Sequence, residues 1–216
     1  MRRWTCVLFS LFFVILAPAA VQAKADNLIQ DPGFEIGVSN TYTGSMGDGW
    51  VVTAGTGAIC TSGSGAVCGN AGVAHAGNQM AFLDWDGSTD TISQTLTTVS
   101  GDTYTISYFV AGTHSNSLTV AFGSSTLFSG VIPNSGVSSA SDYMEYIFTT
   151  TATSNSTPLT FSGLRGTGDL GGELLLDDVS VTDSSVPEPS SVLLLGTGVI
   201  GLLETIRRKL QPHWKP

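Results

Sequence analysis

The stretch TISQTLTTVSGDTYTISYFVAG, residues 91–112, decides the fold class of this chain. In its second half Tyr104, Ile106 and Tyr108 alternate with smaller or polar residues, so they share one face of an extended strand. A Gly-Asp pair at 101–102 separates the two halves and is typical of a turn. The stretch therefore predicts two β-strands, each with one apolar face, and no helix.

Similar segments lie on both sides of this stretch. They begin at residues 78, 117, 125, 142, 157 and 172 and read NQMAFLDW, SLTVAFG, STLFSG, DYMEYIFTTTA, TPLTFSGLRG and GELLLDDVSVT. Short strands between Gly-rich and Ser-rich turns are typical of two packed sheets. We predict an all-β sandwich of about eight to ten strands over residues 26–183.

The charge of this region excludes some functions. Residues 26–183 contain 15 acidic residues and one basic residue, Arg165, which gives a formal charge of −14. Such a domain repels phosphate backbones, so nucleic acid is excluded as a partner, and it favours cations.

Cys60 and Cys68 form an even pair in this region, separated by the seven residues TSGSGAV. An even number of cysteines in an oxidising compartment predicts a disulfide. The alternative is a two-thiol metal site, but the nearest histidine, His75, does not stand at ligand spacing.

The N-terminus reads as a signal peptide, residues 1–23. Arg2 and Arg3 precede the apolar run CVLFSLFFVILA and the small residues of PAAVQA. Cleavage is expected after Ala23, with Ala25 as the alternative. A permanent N-terminal span is disfavoured because the run is short and has no basic flank on its far side. The mature protein is therefore expected to cross the inner membrane.

The C-terminus has three parts. VPEPSS at 186–191 precedes a short apolar run that contains glycines, and Arg207, Arg208 and Lys209 follow it. The uncharged segment is marginal for a membrane span, which needs about 17–25 residues. Basic residues after the span mark the cytoplasmic side.

In order, spacing and position, these parts resemble the PEP-CTERM protein-sorting signal. The resemblance implies processing by exosortase, a membrane protease or transpeptidase of Gram-negative bacteria that make exopolysaccharide. Its residues are Pro187, Glu188, Pro189, Arg207, Arg208 and Lys209. It divides the end of the chain into a linker and PEP motif (184–189), a transmembrane helix (190–206) and a basic cytoplasmic tail (207–216). The precursor would be anchored in the inner membrane, and the processed protein would reach the cell surface or the medium. A plain single-span anchor is the alternative.

The domain itself shows a second resemblance. It begins NLIQDPGFEIG, continues with DGW at 48–50, and ends LLLDDVSVT. These motifs are similar to those of the galactose-binding-like jelly roll, a two-sheet sandwich shared by several carbohydrate-binding modules. The resemblance covers the domain from residue 27 to residue 182.

This resemblance implies a structural calcium ion where the first and last strands meet. Glu35 and Asp177 would supply carboxylates and Gly33 a carbonyl, with Asp178 as the alternate ligand. Calcium takes six to eight oxygen ligands in flexible geometry, which suits such a set. The alternative is that these acids are solvated at the strand ends.

No assembled catalytic motif is present. The domain has two histidines, His75 and His114, and neither G-x-S-x-G nor H-E-x-x-H occurs. We therefore expect a non-enzyme: a surface or biofilm-matrix protein that contacts polysaccharide, with Tyr42 and Trp85 as candidate sugar-stacking rings. The alternatives are a purely structural matrix protein and a carbohydrate-active enzyme.

Overall fold

The computed structural model describes residues 26–36, 41–42, 46, 49–63, 72–83, 87–164, 174–184, 198–199, 201–203 and 206. One compact unit comprises Ala25–Val186, and a second comprises Met1–Lys24 with Pro187–Pro216. In the second unit, the described residues from 198 to 206 are helical. Within the described chain, no helix is both long enough and apolar enough to span a membrane. The predicted signal peptide and most of the predicted helix at 190–206 lie outside the described residues.

The described part of the first unit forms eleven strands and one short 3-10 helix, Ala140–Asp142. The strands are β1 (Thr41–Tyr42), β2 (Val51–Ala54), β3 (Ala58–Thr61), β4 (Gln79–Leu83), β5 (Asp90–Thr97), β6 (Thr103–Gly112), β7 (Asn116–Phe122), β8 (Ser125–Ile132), β9 (Met144–Thr151), β10 (Ser156–Leu164) and β11 (Leu174–Asp183). They pair in a six-stranded sheet, β1-β3-β4-β11-β6-β9, and a five-stranded sheet, β2-β5-β10-β7-β8. All strand pairings in the described part of the chain are antiparallel. The predicted all-β, two-sheet sandwich is confirmed.

The two strands of the 91–112 stretch belong to different sheets. β5 lies in the five-stranded sheet and β6 in the six-stranded sheet, so the chain crosses the core between them. On β6, Tyr104, Ile106 and Tyr108 are buried and the residues between them are partly exposed, as the alternation predicts. Both apolar faces point into the same core, where Trp50 is fully buried.

The first segment of the domain runs beside its last strand. Leu28 N donates to Val181 O at 2.8 Å, and Val179 N donates to Pro32 O at 2.9 Å. The Asn27 side chain bonds the same strand, donating to Val179 O and accepting from Val181 N. This pairing brings the two acidic ends of the domain together.

Candidate functional site

The backbone is strained where the two ends meet. Asp31, Phe34 and Asp178 have φ values of 50°, 58° and 47°, in the left-handed region that non-glycine residues rarely adopt. Such residues persist only where surrounding contacts hold them, and they concentrate at functional sites. Four carboxylates surround this point: those of Asp31, Glu35, Asp177 and Asp178. We call these four residues the carboxylate cluster.

Asp177 has no exposed surface, yet its carboxylate is well bonded. Its Oδ2 accepts from His75 N at 2.8 Å and from Ala76 N at 3.2 Å, and its Oδ1 accepts from Asp178 N at 2.8 Å. Burial raises the pKa of Asp177 to about 7, the bond from Ala76 N opposes that rise, and the charge of Asp178 adds to it. The site therefore holds a carboxyl that can change its protonation state near neutral pH.

Asp177 binds the start of loop 75–79, and Glu35 binds its end. Its Oε1 accepts from Asn78 N at 2.6 Å and from Gln79 N at 2.7 Å. Between these bonds and those of Asp177 lies Gly77, with φ 62°, where a Cβ would collide with the Glu35 carboxylate. The loop 75–79 is thus bound through four backbone amides by one carboxylate from each end of the domain.

Asp31 fixes the backbone that carries Glu35. Its Oδ1 accepts from Glu35 N at 2.7 Å, and its Oδ2 accepts from Ile36 N at 3.2 Å. Its carbonyl accepts from the buried Trp50 indole at 3.1 Å. Asp31 therefore joins the cluster to the core.

His75 adds an ion pair and an aromatic contact. Its Nδ1 lies 2.5 Å from Asp178 Oδ2, and its ring stacks on Phe109 with centroids 3.8 Å apart. The Tyr143 ring lies 5.5 Å away. Among the described residues, nothing bonds the buried Tyr143 hydroxyl. Burial, then the charges of Asp177 and Asp178, raises the pKa of Tyr143.

The structure brings the predicted calcium residues close together. A Cβ built on Gly33 would lie 3.6 Å from Asp177 Oδ1 and 3.8 Å from Asp178 Oδ1. However, Asp177 already accepts three backbone N–H bonds and Glu35 two, so these carboxylates are compensated without an ion. No group of three or more His, Cys, Asp or Glu side chains in the described chain is arranged to hold a metal. The residues fit calcium only in part, and the ion stays a prediction.

Other predicted residues are described in part or not at all. Cys60 is buried in β3 and its sulfur is disulfide-bonded, while Cys68 lies outside the described residues, so their pairing stays a prediction. Tyr42 lies in β1, but its side chain is outside the description, as is Trp85. The six predicted sorting residues are also outside it.

Sequence reasoning missed the roles of Asp31, His75 and Tyr143. The sequence contains a local pattern that could have predicted the role of Asp31, because an Asp before Pro-Gly often bonds the backbone amides that follow it. It contains no such pattern for His75, since the partner Asp178 stands 103 residues away in the chain.

Comparisons with known proteins agree with both resemblances. Residues 185–209 match the PEP-CTERM protein-sorting motif. A search of curated proteins finds no match. The structure of TmCBM61 in complex with β-1,4-galactotriose is similar with a TM-score of 0.52 and 15% identity, over 74% of this chain and 100% of that chain.

A second similar structure is arabinose-bound MgGH51 α-L-arabinofuranosidase. Its TM-score is 0.50 at 14% identity, over 76% of this chain but only 27% of that enzyme. At such identities the likeness concerns the fold. The molecule is thus a β-sandwich of the kind found in carbohydrate-binding modules. The same chain carries a PEP-CTERM sorting motif.

Proposed function

We propose that this chain is an exported, exosortase-sorted protein whose β-sandwich binds polysaccharide at the cell surface or in an extracellular matrix. The observation that carries the proposal is the combination of two features on one chain. A sandwich that matches a galactotriose-bound module over that module's whole length precedes a protein-sorting motif. A surface or matrix protein needs both a signal that directs it to its location and a ligand that it binds there.

The proposed binding is non-catalytic. In the described chain no histidine, cysteine or carboxylate group is arranged as a metal centre, and the strained carboxylate cluster is occupied by backbone amides. This arrangement supports a structural role for the cluster. A calcium ion held by Glu35 and Asp177, with a carbonyl from Gly33 and with Asp178 as the alternate ligand, belongs to the same proposal as a structural element.

The test of binding uses native gels that contain one neutral polysaccharide each: β-1,4-galactan, xylan, mannan or a β-glucan. The purified full chain should be retarded by at least one of them relative to a gel without polysaccharide. Unchanged mobility in all four gels would overturn the binding proposal.

The test of sorting replaces Pro187, Glu188 and Pro189 by alanine. We propose that the precursor is anchored in the inner membrane of a Gram-negative cell, with its basic residues inside. The altered chain should stay there at full mature length, whereas the unaltered chain should lose its C-terminal segment only in cells that contain exosortase. Intact protein with its Trp214 tail, retained in such a host, would show an ordinary anchor instead.

A further inference from the structure

The two sheets end in four edge strands of unequal length. On one side they end in β1, with two residues, and β2, with four. On the other side they end in β8 and β9, with eight residues each. An edge strand presents a row of unpaired backbone N–H and C=O groups on which another strand can pair. Of the edge strands in the described chain, β8 and β9 are the two that are long enough to accept a partner.

β8 lacks the features that usually protect a long edge strand, which are charges, proline or a covering segment. It reads STLFSGVI, with no charged residue and no proline, and among the described strands it pairs with β7 alone. β9 differs, because it exposes the carboxylate of Glu145. β8 is therefore the less protected of the two long edges.

The last five residues of β8, 128–132, form the regular part of this edge. The register with β7 shifts at Leu127, which is an extra residue on β8. After this bulge the side chains alternate: Phe128 packs against the core, whereas Ser129 and Val131 face solvent. Val131 is 60% exposed although it is apolar. The outer side of this edge is thus small and uncharged, and part of it would gain from being covered.

Gly130 lies in the middle of the regular part. A glycine inside a strand often marks a place where another backbone approaches closely. On the inner face it leaves a gap beside the Phe128 ring, since a Cβ there would lie 3.3 Å from that ring. An aromatic side chain on an opposing strand is the residue type that covers such a glycine.

The distribution of charge allows two copies to meet at β8. Residues 26–183 have a formal charge of −14, so most contacts between two copies would bring carboxylates together. In the strands of the five-stranded sheet the only Asp, Glu, Lys or Arg is Asp90, and it is buried in β5, three strands away from β8. A second copy can therefore approach along the plane of this sheet without placing carboxylates opposite each other.

A second copy of β8 also continues the pattern of the sheet. A two-fold axis perpendicular to the sheet makes the two β8 strands antiparallel, as all described pairs of this sheet are. Two five-stranded sheets then form one sheet of ten strands, which ends in β2 on both sides. Because β2 has only four residues, strand pairing stops at the dimer.

We propose that this domain forms a weak homodimer by antiparallel pairing of β8 with β8 of a second copy. The two-fold axis lies at Ser129, so that Phe128 of each copy is opposite Gly130 of the other. A contact over so few residues belongs to the small, transient class of interfaces. The inference goes beyond the proposed polysaccharide binding, and either one can fail without the other.

The first experiment is sedimentation of the full-length chain in detergent at increasing protein concentration. Ser129→Lys places two like charges opposite each other at the axis and should weaken dimerisation about tenfold or more. Thr149→Lys is the matched control, because it adds the same charge at an exposed position of the other long edge, β9. It should dimerise as the wild type does. All variants share the same terminal segments, so any association through those segments is equal in all of them.

Amide hydrogen exchange of the wild type locates the contact without any substitution. Exchange in the peptide 125–132 should slow as the protein is concentrated, because the outward N–H groups then bond the second copy. Exchange in the β9 peptide, 144–151, should not depend on concentration. Added salt should strengthen the dimer, since it screens the repulsion between two acidic domains.

Three results would overturn the inference. The first is a wild type that stays monomeric at protein concentrations up to about 1 mM. The second is equal association of the wild type and Ser129→Lys, which would place the contact on another surface or in the terminal segments. The third is protection of the β8 amides at every concentration, which would show that another segment of the same chain covers this edge.

Discussion

Asp177 and Tyr108 are both polar side chains with no exposed surface, on neighbouring strands of one sheet, and they differ in every other respect. Asp177 accepts hydrogen bonds from three backbone amides. Within the described chain, the Tyr108 hydroxyl has no partner at all. Asp177 therefore ties loop 75–79 to the last strand of the domain, whereas the buried Tyr108 hydroxyl ties no described segments together.

The strongest test of this contrast is Asp177→Ala. It leaves three amides without their acceptor, and we expect a loss of about 3 kcal/mol in the free energy of unfolding, measured with urea. Asp178→Asn is the control, since asparagine tolerates the positive φ. It removes the charge that faces His75 and Asp177 but leaves in place the three amides that donate to Asp177. Its cost should be about 0.5 kcal/mol. Equal losses for the two variants would mean that the three amides contribute nothing special.

Calcium would sharpen the contrast, because its predicted site lies in the carboxylate cluster. If an ion binds there, a hundredfold excess over its dissociation constant stabilises the fold by about 2.7 kcal/mol. That corresponds to a rise in Tm of about 5 to 10 °C for a domain of this size. Magnesium should not replace it, since its geometry is tighter. Identical melting curves with calcium and with chelator would show that the amides of loop 75–79 suffice.

The disulfide is expected to have an effect of similar or smaller size. Cys68→Ser opens the short loop predicted between Cys60 and Cys68 and should cost about 2 kcal/mol. Mass spectrometry of the exported, non-reduced protein should find the two peptides linked. Alkylation of both thiols without reductant would refute the pairing.

A pH titration examines the same carboxyl without mutation. Since burial raises the pKa of Asp177 to about 7, the folded state holds a proton that the unfolded state has already released between about pH 4 and 7. The free energy of unfolding should therefore rise as the pH falls from 8 to 6, by about 1 kcal/mol for this group. Urea titrations in chelator at both values measure it. Asp177→Asn should remove this rise, and a wild-type protein that is less stable at pH 6 would contradict it.

The smallest effect on stability is expected at Tyr108. Tyr108→Phe removes a buried hydroxyl that has no described partner, so the free energy of unfolding should stay the same or rise by up to about 1 kcal/mol. Urea unfolding measures this beside Asp177→Ala. A loss of more than about 1 kcal/mol would reveal a partner, such as a bound water, and would weaken the contrast with Asp177.

The sequence was informative wherever the signal is local. The alternation of Tyr104, Ile106 and Tyr108 predicts the buried face of β6 because the side-chain period of a strand is two. The resemblance of the end motifs, near Glu35 and Asp177, to the galactose-binding-like jelly roll implies that these acids approach each other. The first statement follows from a short pattern and the second from the resemblance.

The sequence could not show what depends on distant partners. Nothing near residue 75 indicates that its amides bind Asp177, 102 residues away. The contact between Phe128 and Tyr146 was equally hidden, because these residues lie on strands of different sheets that become neighbours only when the sandwich closes. Ring exposure is set by which strands end a sheet, and local pattern does not contain that information.

The position of β11 has a consequence for the order of folding. This strand is the last of the domain, yet it lies between β4 and β6, inside its sheet. The earlier strands cannot complete that sheet until residue 183 is available, and pairings across such long stretches form slowly. A chain exported from its N-terminus therefore stays unfinished through almost the whole domain. Since the Pro187-Glu188-Pro189 motif begins four residues after β11, the last strand of the sandwich and the sorting motif would become available almost together during export.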